Sequence, residues 1–202
     1  MTRAKPPALV VLLAFGFLSG AAQPPQKPKD PQSAYEPRSG PGAGQKFLEQ
    51  FVGDWDVLKT FHPRAGDPVR QKGECRQTMM HGGRFLRSEF VFGSGEGKTT
   101  GLGIVGFEPA SGRFTSVWTD SRATRMSLRQ SEDSFNGKEI VLFSKSLDGG
   151  TREGRRSRTV TRLEDGGGKI VHRQYAIGPD GKERLMMELL MTRKPKASPP
   201  GK

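Results

Sequence analysis

Tight-turn signals recur along this chain at short intervals and leave no room for long helices. They are Gly82-Gly83, Gly93 to Gly97, Pro109-Ala110-Ser111-Gly112, Asn136-Gly137, Asp148-Gly149-Gly150, Asp165-Gly166-Gly167-Gly168 and Pro179-Asp180-Gly181. Asn-Gly is the strongest short hairpin signal, because both residues tolerate the backbone that such a turn demands. Between these signals apolar and polar residues alternate, the period of a strand with one buried face. A parallel sheet needs a crossover of a dozen or more residues, usually helical, between strands. No helical pattern interrupts the alternation, so the chain reads strand, turn, strand.

The alternation predicts strands at Asp54–His62, Gln71–His81, Arg84–Phe92, Thr99–Glu108, Arg113–Asp120, Arg125–Ser131, Lys138–Leu147, Arg156–Leu163, Lys169–Ile177 and Glu183–Arg193. A long antiparallel meander removes its exposed edges by curling and closing. The expected fold is all-β, an antiparallel up-and-down β-barrel of about ten strands. A two-sheet sandwich is the structural alternative. Ahead of the strands, Phe47, Leu48, Phe51 and Val52 fall on one helical face. They predict a short helix over Gln45–Val52 that covers one end of the barrel.

The flanks differ in character. Arg3 and Lys5 precede the apolar run Ala8–Leu18 and the small residues Ser19-Gly20-Ala21-Ala22. That is the layout of a signal peptide over residues 1–22. The run is too short to span a bilayer, so no transmembrane span is expected after signal cleavage. Residues 23–44, rich in Pro, Gly, Gln and Lys, read as a flexible linker. Residues 45–194 make the barrel domain, and residues 195–202 a disordered Pro/Lys tail. The expected location is secreted or periplasmic.

Lys and Arg number 33 against 21 Asp and Glu, a formal net charge of +12. A basic balance favours acidic partners. Arg152, Arg155, Arg156, Arg158 and Arg162 crowd one hairpin. They nominate an anionic component of the cell envelope as a partner; the plainer reading is an edge strand kept soluble by charge. The aromatic interleaving that binds single-stranded nucleic acid is missing, so no nucleic-acid partner is expected. The single cysteine, Cys75, excludes an internal disulfide, and its thiol is expected to be buried.

Signals for catalysis are weak. His62, His81 and His172 have no histidine neighbour at metal-site spacing. A site assembled across strands stays open, with His172 its candidate; an ordinary hydrogen-bonded histidine is the simpler reading. Gly101-Leu102-Gly103-Ile104-Val105-Gly106 has the form of a dinucleotide fingerprint, but it lies within a strand and no helix follows. Glycines in a barrel strand instead allow sharp bending or the close approach of a side chain from across the barrel. No nucleophile–base pair is visible, so neither an enzyme nor a cofactor is expected.

Trp118 and Asp120 share a strand face. With Glu89, and with Arg87 as a counter-charge on the Glu89 face, they are the candidate ligand-binding residues. Met79, Met80, Met126, Met186, Met187 and Met191 suit an adaptable interior. The favoured function is an exported barrel holding a small apolar or amphipathic ligand. The alternative is a structural or interaction protein of the cell envelope, with a filled barrel and a basic contact surface. A cavity decides between them.

Gly53-Asp54-Trp55 has the Gly-x-Trp form of the first strand in lipocalin-like barrels. Glycine turns the chain into the strand, the indole plugs the end, and a cation on the closing strand stacks on the ring. Arg193 is the predicted cation, making Gly53, Trp55 and Arg193 structural residues. This motif joins Gly82-Gly83-Arg84-Phe85-Leu86, Gly103-Ile104-Val105-Gly106-Phe107-Glu108, Phe114 to Ser121, Gly178 to Glu183 and Thr192-Arg193-Lys194. From Phe47 to Lys194 the chain thereby resembles the bacterial family called domain of unknown function 1579. The resemblance implies a calycin-like barrel with no established biochemical activity.

Overall fold

Ten strands form where the alternation places them. They are β1 (Gly53–Phe61), β2 (Val69–Met80), β3 (Phe85–Phe92), β4 (Thr99–Glu108), β5 (Arg113–Asp120), β6 (Ser127–Gln130), β7 (Glu139–Lys145), β8 (Arg156–Glu164), β9 (Lys169–Ile177) and β10 (Glu183–Arg193). The computed structural model describes residues 30–33, 35, 38–145 and 156–195. The chain divides into two units, Met1–Arg38 and Ser39–Lys202. In the first, Arg38 Nε meets Asp30 Oδ2 at 2.6 Å. The predicted signal peptide, residues 23–29, 34, 36 and 37 of the predicted linker, and all of the predicted tail but Pro195 fall outside the described residues.

Each strand of the second unit pairs antiparallel with the next, and β1 also pairs with β10. The sheet is therefore a closed barrel rather than a sandwich. β6 is shorter than its predicted span and pairs with β5 only from Ser127 to Gln130. Ser131 then leaves the ladder: its hydroxyl takes the Phe114 N–H at 3.3 Å and donates to the Val141 carbonyl at 3.0 Å.

Closure corrects one expectation. β8 is not an edge strand; it lies between β7 and β9. Its outward arginines are matched one by one. Arg158 grips Glu183 through two bonds of 2.6 Å, Arg162 Nε reaches Glu139 at 2.5 Å, and Arg156 pairs with Glu132. Such exposed pairs add little stability, but they leave this face far less basic than the sequence suggests. Arg152 and Arg155 lie outside the described residues.

The predicted helix is α1 (Ala43–Glu49), shifted towards the N-terminus. The Gln45 side chain explains where it starts. Its Oε1 accepts the Gly42 N–H at 2.7 Å, and its Nε2 donates to the Phe107 carbonyl at 2.7 Å. Phe47, Leu48 and Phe51 are buried. Phe47 packs on Phe51 and Phe135, and Phe114 on Phe107 and Phe135, with centroids 4.8–5.3 Å apart. These edge-on and tilted contacts suit the charge distribution of aromatic rings, and the cluster stoppers one end of the barrel. None of the described helices is long and apolar enough to cross a membrane.

At the same end Trp55 is fully buried and stands opposite Arg193 in the β1–β10 register. The indole N–H donates to the Phe51 carbonyl at 3.0 Å. The Arg193 guanidinium lies 4.1 Å from the ring centroid, as the sequence predicted. It donates to the carbonyls of Gly167, Val52 and Gln50 at 2.9, 2.6 and 2.7 Å. Gly53 has φ 145°, and a Cβ there would lie 2.6 Å from Arg193 Nη1. Glycine is thus required twice at this position, for backbone and for space. Cys75 is buried, as expected. Burial pushes its pKa up, and Asp54 and Glu89 push it further, so the thiol stays protonated.

Candidate functional site

Strand parity sends alternate side chains into the barrel, and they do not fill it. Behind the aromatic stopper lies a cavity of about 600 Å³. At the opposite end of the barrel its lining reaches Phe61, Thr99, Asp120 and Arg122. Leu86, Phe90, Phe92, Met187, Leu189 and Met191, from β3 and β10, give it an apolar wall. Among these apolar residues are set polar ones from β6, β8 and β9, Arg129, Thr159, Thr161, His172 and Gln174, with His172 beside Leu189 and Gln174 beside Met187 in the β9–β10 register. The cavity speaks against the filled-barrel alternative: the interior is hollow.

Trp118 and Asp120 both line the cavity, as predicted. The Trp118 indole N–H donates to Asp120 Oδ2 at 3.0 Å, and the ring meets Phe90 edge-on at 5.5 Å. Its place is cut by glycine. A Cβ at Gly101 would lie 2.4 Å from the far edge of the indole. The approach comes from the neighbouring strand rather than from across the barrel, since Gly103 faces Trp118 in the β4–β5 register. Burial alone would raise the Asp120 pKa, but bonds from the Trp118 indole and the Arg122 backbone, with the Arg122 charge, hold it below the usual carboxylate value. Gly101→Ala is expected to displace the indole, break its bond to Asp120 and destabilise the barrel by about 1–3 kcal/mol. Thermal unfolding, with Trp118 emission followed in a Trp55→Phe background, measures both effects. An unshifted emission and melting temperature would show that the glycine is not what positions the ring.

Arg87 and Glu89 are the predicted site residues that the fold does not bring to the cavity. On β3 the inward residues are Leu86, Ser88, Phe90 and Phe92. Arg87 and Glu89 have the opposite parity and pair with each other at 2.5 Å on the outer face. Glu89 borders only a separate shallow crevice outside, beside Val91 and Leu102.

Four interior groups carry polarity that the sequence reading did not assign. Lys59 is 8% exposed, with Nζ 3.5 Å from the Phe92 centroid. Burial lowers its pKa, Arg122 lowers it further, and Asp120 partly restores it. Gln77 donates to Ser88 Oγ at 2.9 Å, while its buried Oε1 has no partner. His172 Nδ1 and Thr161 Oγ1 share a hydrogen bond of 2.8 Å. Burial, with the nearby Arg129 charge, pushes the His172 pKa down to about 4, so the ring is neutral at pH 7. Arg129 Nε is buried without a hydrogen-bond partner, and burial lowers the pKa of its guanidinium. No cluster of three or more His, Cys, Asp or Glu among the described residues is placed to hold a metal ion.

Comparison with solved structures agrees with the architecture. Rv2717c from M. tuberculosis superposes with a TM-score of 0.55 at 13% identity, covering 78% of this chain and 100% of that one. The S-type phycobiliprotein lyase CPES from Guillardia theta gives 0.48 at 12% identity, covering 76% and 93%. At these identities the first likeness speaks for fold alone, and the second is too distant to add to it. No curated protein matches the chain by sequence. The family model described as "Protein of unknown function (DUF1579)" matches residues 40–193, which span the helix, the aromatic stopper and all ten strands, and the chain belongs to that family.

Proposed function

We propose that this protein is an exported binding protein that holds one small amphipathic molecule inside its barrel. The observation that carries this reading is the cavity of about 600 Å³, whose lining is apolar with a few polar groups set in it. Ligand sites in proteins commonly measure about 300–1,000 Å³, with a few polar groups set in apolar surroundings. The cavity chemistry favours holding over reacting. His172, in the lining, bonds to a hydroxyl rather than to an orienting carboxylate, and the buried Cys75 thiol, kept protonated, is not part of the lining. Export is supported by Arg3, Lys5, the apolar run Ala8–Leu18 and the small residues after it.

Native mass spectrometry of the gently purified, exported protein tests both parts. The expected spectrum shows a chain beginning near Gln23 and a discrete added mass that disappears on denaturation. Trp118→Ala is expected to reduce the ligand-bound fraction. A chain that retains residues 1–22 would remove export. A bare chain that also fails to bind the neutral fluorophore N-phenyl-1-naphthylamine would remove the ligand cavity.

A further inference from the structure

Granting the ligand cavity, on which this step rests, we propose that Arg129 anchors the acid group of the bound molecule, so that the barrel selects amphipaths ending in a single carboxylate. The outer face shows by contrast what the cavity lacks. Arg87, Arg156, Arg158, Arg162 and Arg173 each have a carboxylate within salt-bridge distance. Arg129 lines the cavity, and among the described residues no carboxylate pairs with it. A guanidinium does not deprotonate in a protein. Arg129 is half-buried, with its Nε shielded from solvent and unpartnered; a charge so placed that cannot be neutralised and has no counter-charge gains when an anion joins it.

The surroundings specify the anion. Arg129 stands opposite Ser116 on β5 and Ser144 on β7. His172 is near enough for the two to feel each other's charge, and it is neutral at pH 7. One fixed positive charge among hydroxyls and a neutral imidazole balances one negative charge. A doubly charged phosphate would leave an excess. Lys59, the other buried cation, is the weaker anchor. It lies against the Phe92 ring, and the Asp120 carboxylate already offsets part of its charge. The hydrocarbon part of the ligand then lies on Leu86, Phe90, Met187 and Leu189.

The test is displacement of N-phenyl-1-naphthylamine from the full chain by decanoate, decanol and decyl phosphate. A hydrogen-bonded charge pair is worth enough to make decanoate bind roughly 10- to 100-fold tighter than decanol. Arg129→Met is expected to abolish that difference and leave decanol unchanged. It also leaves the empty protein at least as stable, because an unpaired, half-buried charge has been replaced by an apolar side chain. An acid preference that survives in R129M, or that disappears in Lys59→Met instead, overturns the assignment. So does tighter binding of decyl phosphate than of decanoate. A second readout needs no variant. Bound decanoate cancels the Arg129 charge and raises the His172 titration midpoint above about 4 by NMR; an unmoved midpoint with decanoate bound counts against Arg129. The two levels of the reading fail separately. If the naphthylamine does not bind, the ligand cavity falls; if it binds and decanol competes as well as decanoate, only the role of Arg129 falls.

Discussion

Arg193→Met is expected to destabilise the barrel by about 3 kcal/mol, read as a lower urea midpoint at an unchanged slope. The guanidinium makes three bonds to carbonyls on two separate pieces of chain: Gln50 and Val52 after the helix, and Gly167 before β9. Hydrogen bonds to a charged group are worth about 1.5–3 kcal/mol each, and a cation on an indole adds about 0.5–2. Their plain sum is too large, because Arg193 is only partly buried and water replaces some of what is lost. Methionine keeps the packing of the stem over Trp55 and removes the rest. Arg193→Lys is expected to recover less than half of the loss, since an ammonium cannot present the flat fork that reaches three carbonyls while stacking on a ring. A loss of under about 1 kcal/mol in the methionine variant would mean that strand pairing alone holds this end together.

The second large effect is acid sensitivity centred on His172. Its ordinary pKa is 6.5, and in the folded barrel it is about 4. Between these values the unfolded chain takes a proton that the folded chain refuses, so stability falls as pH drops through this window. Each unit of displacement corresponds to about 1.4 kcal/mol, giving a total loss of about 3 kcal/mol by pH 4. The contribution is fully present above pH 6.5 and gone below 4. Glu183 and Asp120, whose pKa values are held below their ordinary values of 4.5 and 3.8, add losses that begin as pH falls through those ordinary values. Urea unfolding at a series of pH values measures this slope. His172→Gln is expected to flatten it between pH 6.5 and 4.5; a slope that survives the substitution belongs to another group.

The architecture was legible because its signals are local. Turn residues and alternation gave ten strands in nearly their observed places, and Gly53, Trp55 and Arg193 could be assembled from strand order alone. Inward and outward faces were legible wherever one parity is plainly more apolar. Trp118 and Asp120 share a parity with Phe114 and lie inside. Arg87 and Glu89 were misplaced for want of the same comparison on β3. There Leu86, Phe90 and Phe92 mark the inner parity, and Phe85 and Val91 only partly mask it. β6 defeats the rule outright. Its apolar residue Leu128, and Met126 just before it, have the parity opposite to Ser127 and Arg129, yet Ser127 and Arg129 line the cavity and Met126 is exposed. The pairing of Ser127 with Trp118 decides the matter, and no periodicity within four residues could reveal it. Arg129 was missed for that reason.

The bond from Arg193 to Val52 joins residues 141 positions apart. Contacts so distant along a chain are slow to form, because the entropy of closing the loop comes before any reward from contact. During synthesis β1 emerges early and waits, with one side unpaired, until β10 has been made. A chain interrupted before that point is a curled ribbon with two raw borders, each a template for another such ribbon. The last strand to be made therefore determines whether the ribosome has produced a finished vessel or a seed for aggregates.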